Sequence, residues 1–167
     1  METARENVAV VRHALSHLHK LYEDGQHGVS EPVDFGPWFG SLSNDVVFYV
    51  PCATAPAADD PAALQPPWNV IGREHHGLDA VKTAFATDQE DIRDWQVQHA
   101  PQYFADGDRV VVLHTERYAI ARSGGEQVPW THSAMVFDVR HGKIVRYTHI
   151  ADMSGHVSAH AAAPAGA

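Results

Sequence analysis

The stretch Trp95-Gln-Val-Gln-His-Ala-Pro-Gln-Tyr103 alternates, and that alternation sets the class of the whole chain. Trp95, Val97, His99 and Tyr103 fall on one face, Gln96, Gln98 and Gln102 on the other, which is the period of a half-buried strand. Asp106-Gly-Asp108 then reads as a hairpin turn. Arg109-Val-Val-Val-Leu-His-Thr-Glu-Arg-Tyr-Ala-Ile120 is rich in β-branched residues, as strands are. Ser123-Gly-Gly125 turns the chain, residues 128–139 return, His141-Gly142 turns it again, and residues 143–152 close the set. Residues 95–152 therefore predict a four-strand antiparallel meander. Any pocket it helps to form must be lined from alternate residues.

Upstream of the meander the period changes. Val8, Val11, Leu15, Leu18 and Tyr22 recur at three- and four-residue steps, which predicts an amphipathic helix over residues 4–24 stopped by Gly25. Residues 28–34 form a linker, residues 35–42 a short helix carrying Phe35, Trp38 and Phe39, and residues 45–50 a strand ended by Pro51. Residues 51–67 hold five prolines and six alanines. No regular element tolerates that composition, so this is an insertion without structure or a lid over a pocket. Leu78, Val81 and Phe85 share one face of a third helix over residues 77–85. The fold class is α+β: a curved antiparallel sheet wrapped as a cone around three helices of the N-terminal half. Residues 1–153 make one domain, and residues 154–167, rich in Ala, His and Gly, a disordered tail.

Composition narrows the function. The 167 residues carry a formal net charge of -9, which argues against binding nucleic acid or an anionic membrane. One cysteine, Cys52, allows no intrachain disulfide and fits the cytoplasm. No long apolar run predicts a membrane span, and the first residues lack the layout of a signal peptide. The 13 histidines form no short metal-ligand spacing, and no phosphate loop or dinucleotide fingerprint is present, so no metal or cofactor is expected.

The element order, with Asp45-Val-Val-Phe-Tyr-Val-Pro51, Gly77-Leu-Asp-Ala-Val81, Asp106-Gly-Asp-Arg-Val-Val-Val112 and His141-Gly-Lys-Ile-Val145, resembles the nuclear transport factor 2-like superfamily and, within it, the SnoaL-like polyketide cyclases. The resemblance covers residues 5 to 153. It implies the cone fold, a homodimer built from sheet faces, and a small organic ligand in the mouth of the cone. It leaves the chemistry open, since the fold carries several activities. By resemblance to ketosteroid isomerases, the base would stand at Val50 and the oxygen-binding tyrosine near Leu18; neither group is present. In limonene epoxide hydrolases a Glu-Arg-x-Asp motif joins an Asp on the last strand. Here Glu116-Arg117-Tyr118-Ala119 keeps the Arg and loses the Asp, His149 takes the last-strand place, and the water-holding positions fall at Phe48 and Val50. SnoaL-like cyclases place their catalytic acid where His149 stands. Scytalone dehydratases have a Tyr-Asp pair and a strand His where this chain has Tyr22-Glu23 and His99.

These comparisons name the candidates. His149 and His99 are candidate general acids or bases, or else an interface and a core histidine. Glu23 would orient an imidazole, Arg117 would steady a developing oxyanion or else form a cross-strand ion pair, and Tyr22 would donate to a carbonyl. Phe48, Val50, Trp95, Tyr103, Thr115, Ala119, Met135 and Tyr147 would line the cone and bind substrate. Together they predict a cofactor-independent lyase or isomerase, meaning a cyclase, dehydratase or double-bond isomerase, acting on a mostly apolar polyketide- or terpenoid-like molecule. Two alternatives stand beside it: a non-catalytic binding or accessory protein of the same fold, and an epoxide-opening hydrolase or cyclase with an altered site. Convergence of His99, His149, Arg117 and Tyr22 on one cavity separates the enzyme from the binding module.

Overall fold

A computed structural model describes residues 3–24 and 35–162, excepting the side chains of residues 21–24, 88–91, 93, 122, 126 and 162. Helix α1 (Ala4–Asp24) starts at a reciprocal cap. The Glu6 amide donates to Thr3 Oγ1 at 3.2 Å, and the Thr3 amide donates to the Glu6 carboxylate at 2.7 Å. Two polar groups that a helix start leaves bare are thereby satisfied. Val11, Ala14, Leu15 and Leu18 form the buried face. Buried Asn7 donates from Nδ2 to the Gly107 carbonyl at 3.0 Å, tying α1 to a distant hairpin. Helix α2 (Gly36–Phe39) buries Trp38, and α3 (Leu78–Asp91) buries Val81, Ala84 and Phe85.

The strands are β1 (Leu42–Tyr49), β2 (Glu74–His76), β3 (Ile92–Val97), β4 (Gln102–Asp106), β5 (Arg109–Ile120), β6 (Glu126–Gln127), β7 (Thr131–Arg140) and β8 (Lys143–Ala151). They join in one curved, unclosed sheet of order β2-β1-β8-β7-β5-β3, with β4 and β6 also paired to β5. The sheet is antiparallel except at β1 and β8, which run parallel with Phe48 opposite Tyr147. Tyr147 stacks on Phe137 at 4.9 Å and on Phe48 at 5.1 Å, and Trp38 meets its edge at 5.8 Å. This aromatic layer joins helix α2 to the sheet.

Three expectations change. The strand expected over residues 95–103 is two strands on one edge of β5. Val97 lies opposite Glu116 and Gln102 opposite Leu113, so residues 98–101 have only His114 and Thr115 across from them. The surplus makes a bulge, and Pro101, with no amide to donate, sits in it. Second, the expected tail is partly a helix: α4 spans Ser154–Ala162. The Ser154 amide donates to Asp152 Oδ1 at 2.9 Å, which starts the helix, and Met153, His156 and Ala159 are buried. Gly155 permits the close approach: a Cβ there would meet Pro129 Cδ at 2.9 Å and Val128 Cγ1 at 3.1 Å. Residues 163–167 lie outside the described residues, as does the linker at 28–34. Third, the chain of residues 51–67 contains a 3-10 turn at Pro61–Leu64 and leads to buried Val70 and Ile71, with the Gly72 amide donating to the Val50 carbonyl at 2.7 Å.

Candidate active site

The helices and the inner face of the sheet enclose a cavity with a mostly apolar wall. Leu18, Phe48, Val50, Phe85, Met135 and Tyr147 supply it from the helices and strands, and Val70 and Ile71 from the returning loop. Its free volume is about 70 Å³, small beside the several hundred Å³ common for ligand pockets. A ligand of more than a few atoms must therefore displace side chains. Met135 and Met153 both border the space, and unbranched thioethers yield most readily.

Into this wall β5 sets Glu116 and Tyr118, and His114 is buried next to Glu116 on the same strand face. Alternate strand residues share a face, and all three are buried, Glu116 to 1% exposure. Glu116 Oε2 accepts from Trp95 Nε1 at 3.0 Å and from His114 Nε2 at 3.0 Å. Oε1 lies 2.9 Å from His149 Nε2 on β8. That distance is the range of an ion pair once the imidazole carries a proton. Burial pushes the Glu116 carboxyl up. The charge of His149, the hydrogen bonds of His114 and His149, and the charge of His114 outweigh it and hold Glu116 well below the usual carboxylate range. His19 of α1 approaches from above, its ring 4.8 Å from Trp95 and 6.3 Å from His114. Burial, then the neighbouring His114, lowers its pKa to about 4, against a smaller raising pull from Glu116. Farther along the same face, Tyr118 Oη lies 3.1 Å from His156 Nδ1 of α4.

A family model described as a SnoaL-like domain matches residues 31–147. The chain belongs to the SnoaL-like family. Solved structures agree on the fold of this SnoaL-like chain. An NTF2-like protein of unknown function from Burkholderia pseudomallei superposes with a TM-score of 0.66 at 20% identity, covering 92% of this chain and 95% of that one. A provisional isomerase from Bacillus subtilis gives 0.61 at 16%, covering 92% and 96%. A provisional SnoaL-like polyketide cyclase from Jannaschia gives 0.57 at 13%, covering 92% and 94%. No curated protein matches by sequence. Among the described residues of the SnoaL-like chain, no helix is long and apolar enough to cross a membrane.

Of the residues singled out in the sequence, His149, Phe48, Val50, Trp95, Met135 and Tyr147 border the cavity. Others do not. His99 stands exposed in the bulge, beside an outer groove that Thr115 also lines. The bulge breaks the alternation that had put His99 with Trp95. Thr115 bonds His132 across that outer face at 2.9 Å. Arg117 also faces outward: its guanidinium donates to Gln96 Oε1 at 3.0 and 2.9 Å and stands 4.7 Å from the Trp130 ring. Ala119 is buried off the cavity wall, since odd-numbered residues of β5 face away from it. Tyr103 packs beside the core under the Arg12 guanidinium, 4.8 Å from its ring. The side chains of Tyr22 and Glu23 lie outside the described residues.

The donor atoms of His114, Glu116 and His149 lie within 4.8 Å of one another, and as a set they suit a divalent cation. The surroundings suit it less. Oε2 is shared by two N–H groups, and an indole N–H can only donate. The cluster is organised around the chain's own anion.

Proposed function

We propose that this SnoaL-like domain is a cofactor-independent isomerase or lyase that moves a proton on a small, mostly apolar carbonyl compound. The observation that carries the proposal is Glu116, an almost fully buried carboxylate in the wall of an apolar cavity, 2.9 Å from a histidine that borders the same cavity. Burying an isolated charge is very unfavourable, and here three N–H-bearing rings gather around it. The provisional cyclase and isomerase of the same fold lend the reading support from their names alone.

His149 takes a proton from the carbon next to the carbonyl, and the C–H electron pair moves into an enolate. Glu116 stabilises the imidazolium so formed and keeps the ring oriented, the division of labour of a carboxylate–histidine pair. His149 then returns the proton. Delivery to a different carbon shifts a double bond. Delivery to a departing β-hydroxyl releases water. Attack of the enolate carbon on an electrophilic carbon of the same molecule closes a ring.

Deuterium exchange into a panel of slim ketones and enones, followed by NMR in D2O, tests this. Wild-type protein should exchange the acidic protons of at least one class. Glu116→Gln and His149→Asn should each slow that exchange by about 10²-fold or more. Unchanged rates in both variants would sink the proposal. A second reading, a non-catalytic binding module, draws on the outward placement of His99 and Arg117, which leaves fewer polar groups in the cavity than the sequence suggests. Ligand retention with no exchange across the panel would favour it.

A further inference from the structure

We propose that Tyr118 and His156 form a second polar site in the same cavity, one that binds the carbonyl or phenolic oxygen of the ligand. Both residues are buried, at 5% and 3% exposure, and both border the cavity. The Tyr118 oxygen and His156 Nδ1 are 3.1 Å apart. Tyr118 lies two residues from Glu116 on the same face of β5, an offset of roughly 7 Å along the strand. Ile92 and Met153 border the cavity as well. The polar groups of this largely apolar wall thus fall into two clusters, Glu116 with His149 and His19, and Tyr118 with His156.

The chemistry of the pair suits an oxygen acceptor. His156 is held neutral, since burial and the adjacent His160 lower its pKa to about 3. A neutral imidazole has one N–H and one lone pair. With the proton on Nδ1, the ring donates to the tyrosine oxygen and turns the hydroxyl hydrogen toward the cavity. The hydroxyl then meets a carbonyl oxygen, and it strengthens its bond as that oxygen gains charge. His156 belongs to α4, so the helix at the C-terminal end completes the site rather than trailing from the domain. That the bound oxygen is the one that becomes an enolate rests on the acid–base proposal above; its binding does not.

The probe is 4-(dimethylamino)cinnamaldehyde, a slim conjugated aldehyde whose absorption moves to the red when its oxygen accepts a hydrogen bond. Titrated with the full chain, the bound dye should be red-shifted. Tyr118→Phe should abolish the shift and weaken binding about fivefold to tenfold, the worth of one hydrogen bond to a neutral acceptor. His156→Gln, a second variant should the first fail to fold, should reduce the shift. Glu116→Gln should retain it. A red shift that persists in Tyr118→Phe, a bound dye with no shift, or no binding at millimolar dye would each overturn the proposal. A shift lost in Glu116→Gln and kept in Tyr118→Phe overturns it too, placing the oxygen at the other cluster and leaving the acid–base reading intact. A Tyr118-dependent shift with no proton exchange does the reverse.

Discussion

Glu116 keeps its charge in the interior because its partners reach it from three different strands. Trp95 comes from β3, His114 from β5 itself and His149 from β8. Two other buried groups make the chain sensitive to acid. Burial lowers His19 to about 4 and His156 to about 3, from 6.5. A histidine with a folded pKa below its unfolded one takes its proton more readily unfolded, so stability falls as the pH drops below 6.5 and continues to fall toward these lowered values. Glu116 adds a loss of the same sign farther down. Its paired carboxylate stabilises fully above the unfolded value of 4.5, and that contribution goes as the pH falls through its depressed folded value. Urea unfolding should therefore show a lower midpoint at about pH 5 than at about pH 7, and His156→Gln should flatten the difference. Equal midpoints for the wild type at the two values would contradict this assignment.

At the scale of elements, the strands were largely legible and the facing of β5 was not. Residues 110–113 read Val-Val-Val-Leu, so hydrophobicity marks neither face, and the outward Leu113 is itself exposed. Arg117 looked inward only by analogy with a motif that the chain keeps in part. A better signal was present. The turn at Gly107-Asp108 pairs Asp106 with Arg109, and hence Tyr103 with Val112. Placing Tyr103 on the inner face thus requires Val112, His114, Glu116 and Tyr118 to face inward as well. His99 could not be placed this way, because the surplus of residues 98–101 resets the alternation and no local pattern gives its size. Helix α4 was missed for another reason. Its Ala, His and Gly content gives little amphipathic signal, and it is fixed by tertiary contacts, among them buried His156 and the close approach of Gly155 to Pro129. Tertiary packing decides such short helices more than propensity does.

At the scale of the molecule, the order of helices and turns was enough to indicate the SnoaL-like fold, while the cavity depends on residues brought together from α1, β3, β5, β8 and α4. The outer face of the sheet also carries a molecular consequence. Leu113 and Ile150 line its groove together and are both exposed, and apolar side chains gathered on one face offer a contact surface. A homodimer through this face is expected. Sedimentation should find a dimer for the wild type and a monomer for the double variant Leu113→Glu, Ile150→Glu; a wild type that is monomeric at all concentrations would exclude it. The central claim, that the assembled fold keeps a buried carboxylate ionised beside His149, is tested most directly by following the Glu116 Cδ resonance with pH in protein labelled with carbon-13 at glutamate. The account predicts a resonance that stays in its ionised position as the pH falls through 4.5, and that moves to the protonated position in the range above 4.5 only when His149 is replaced by alanine. Protonation of Glu116 above 4.5 in the wild type would contradict it, because burial would then have outweighed the histidines and the cavity would hold a neutral acid.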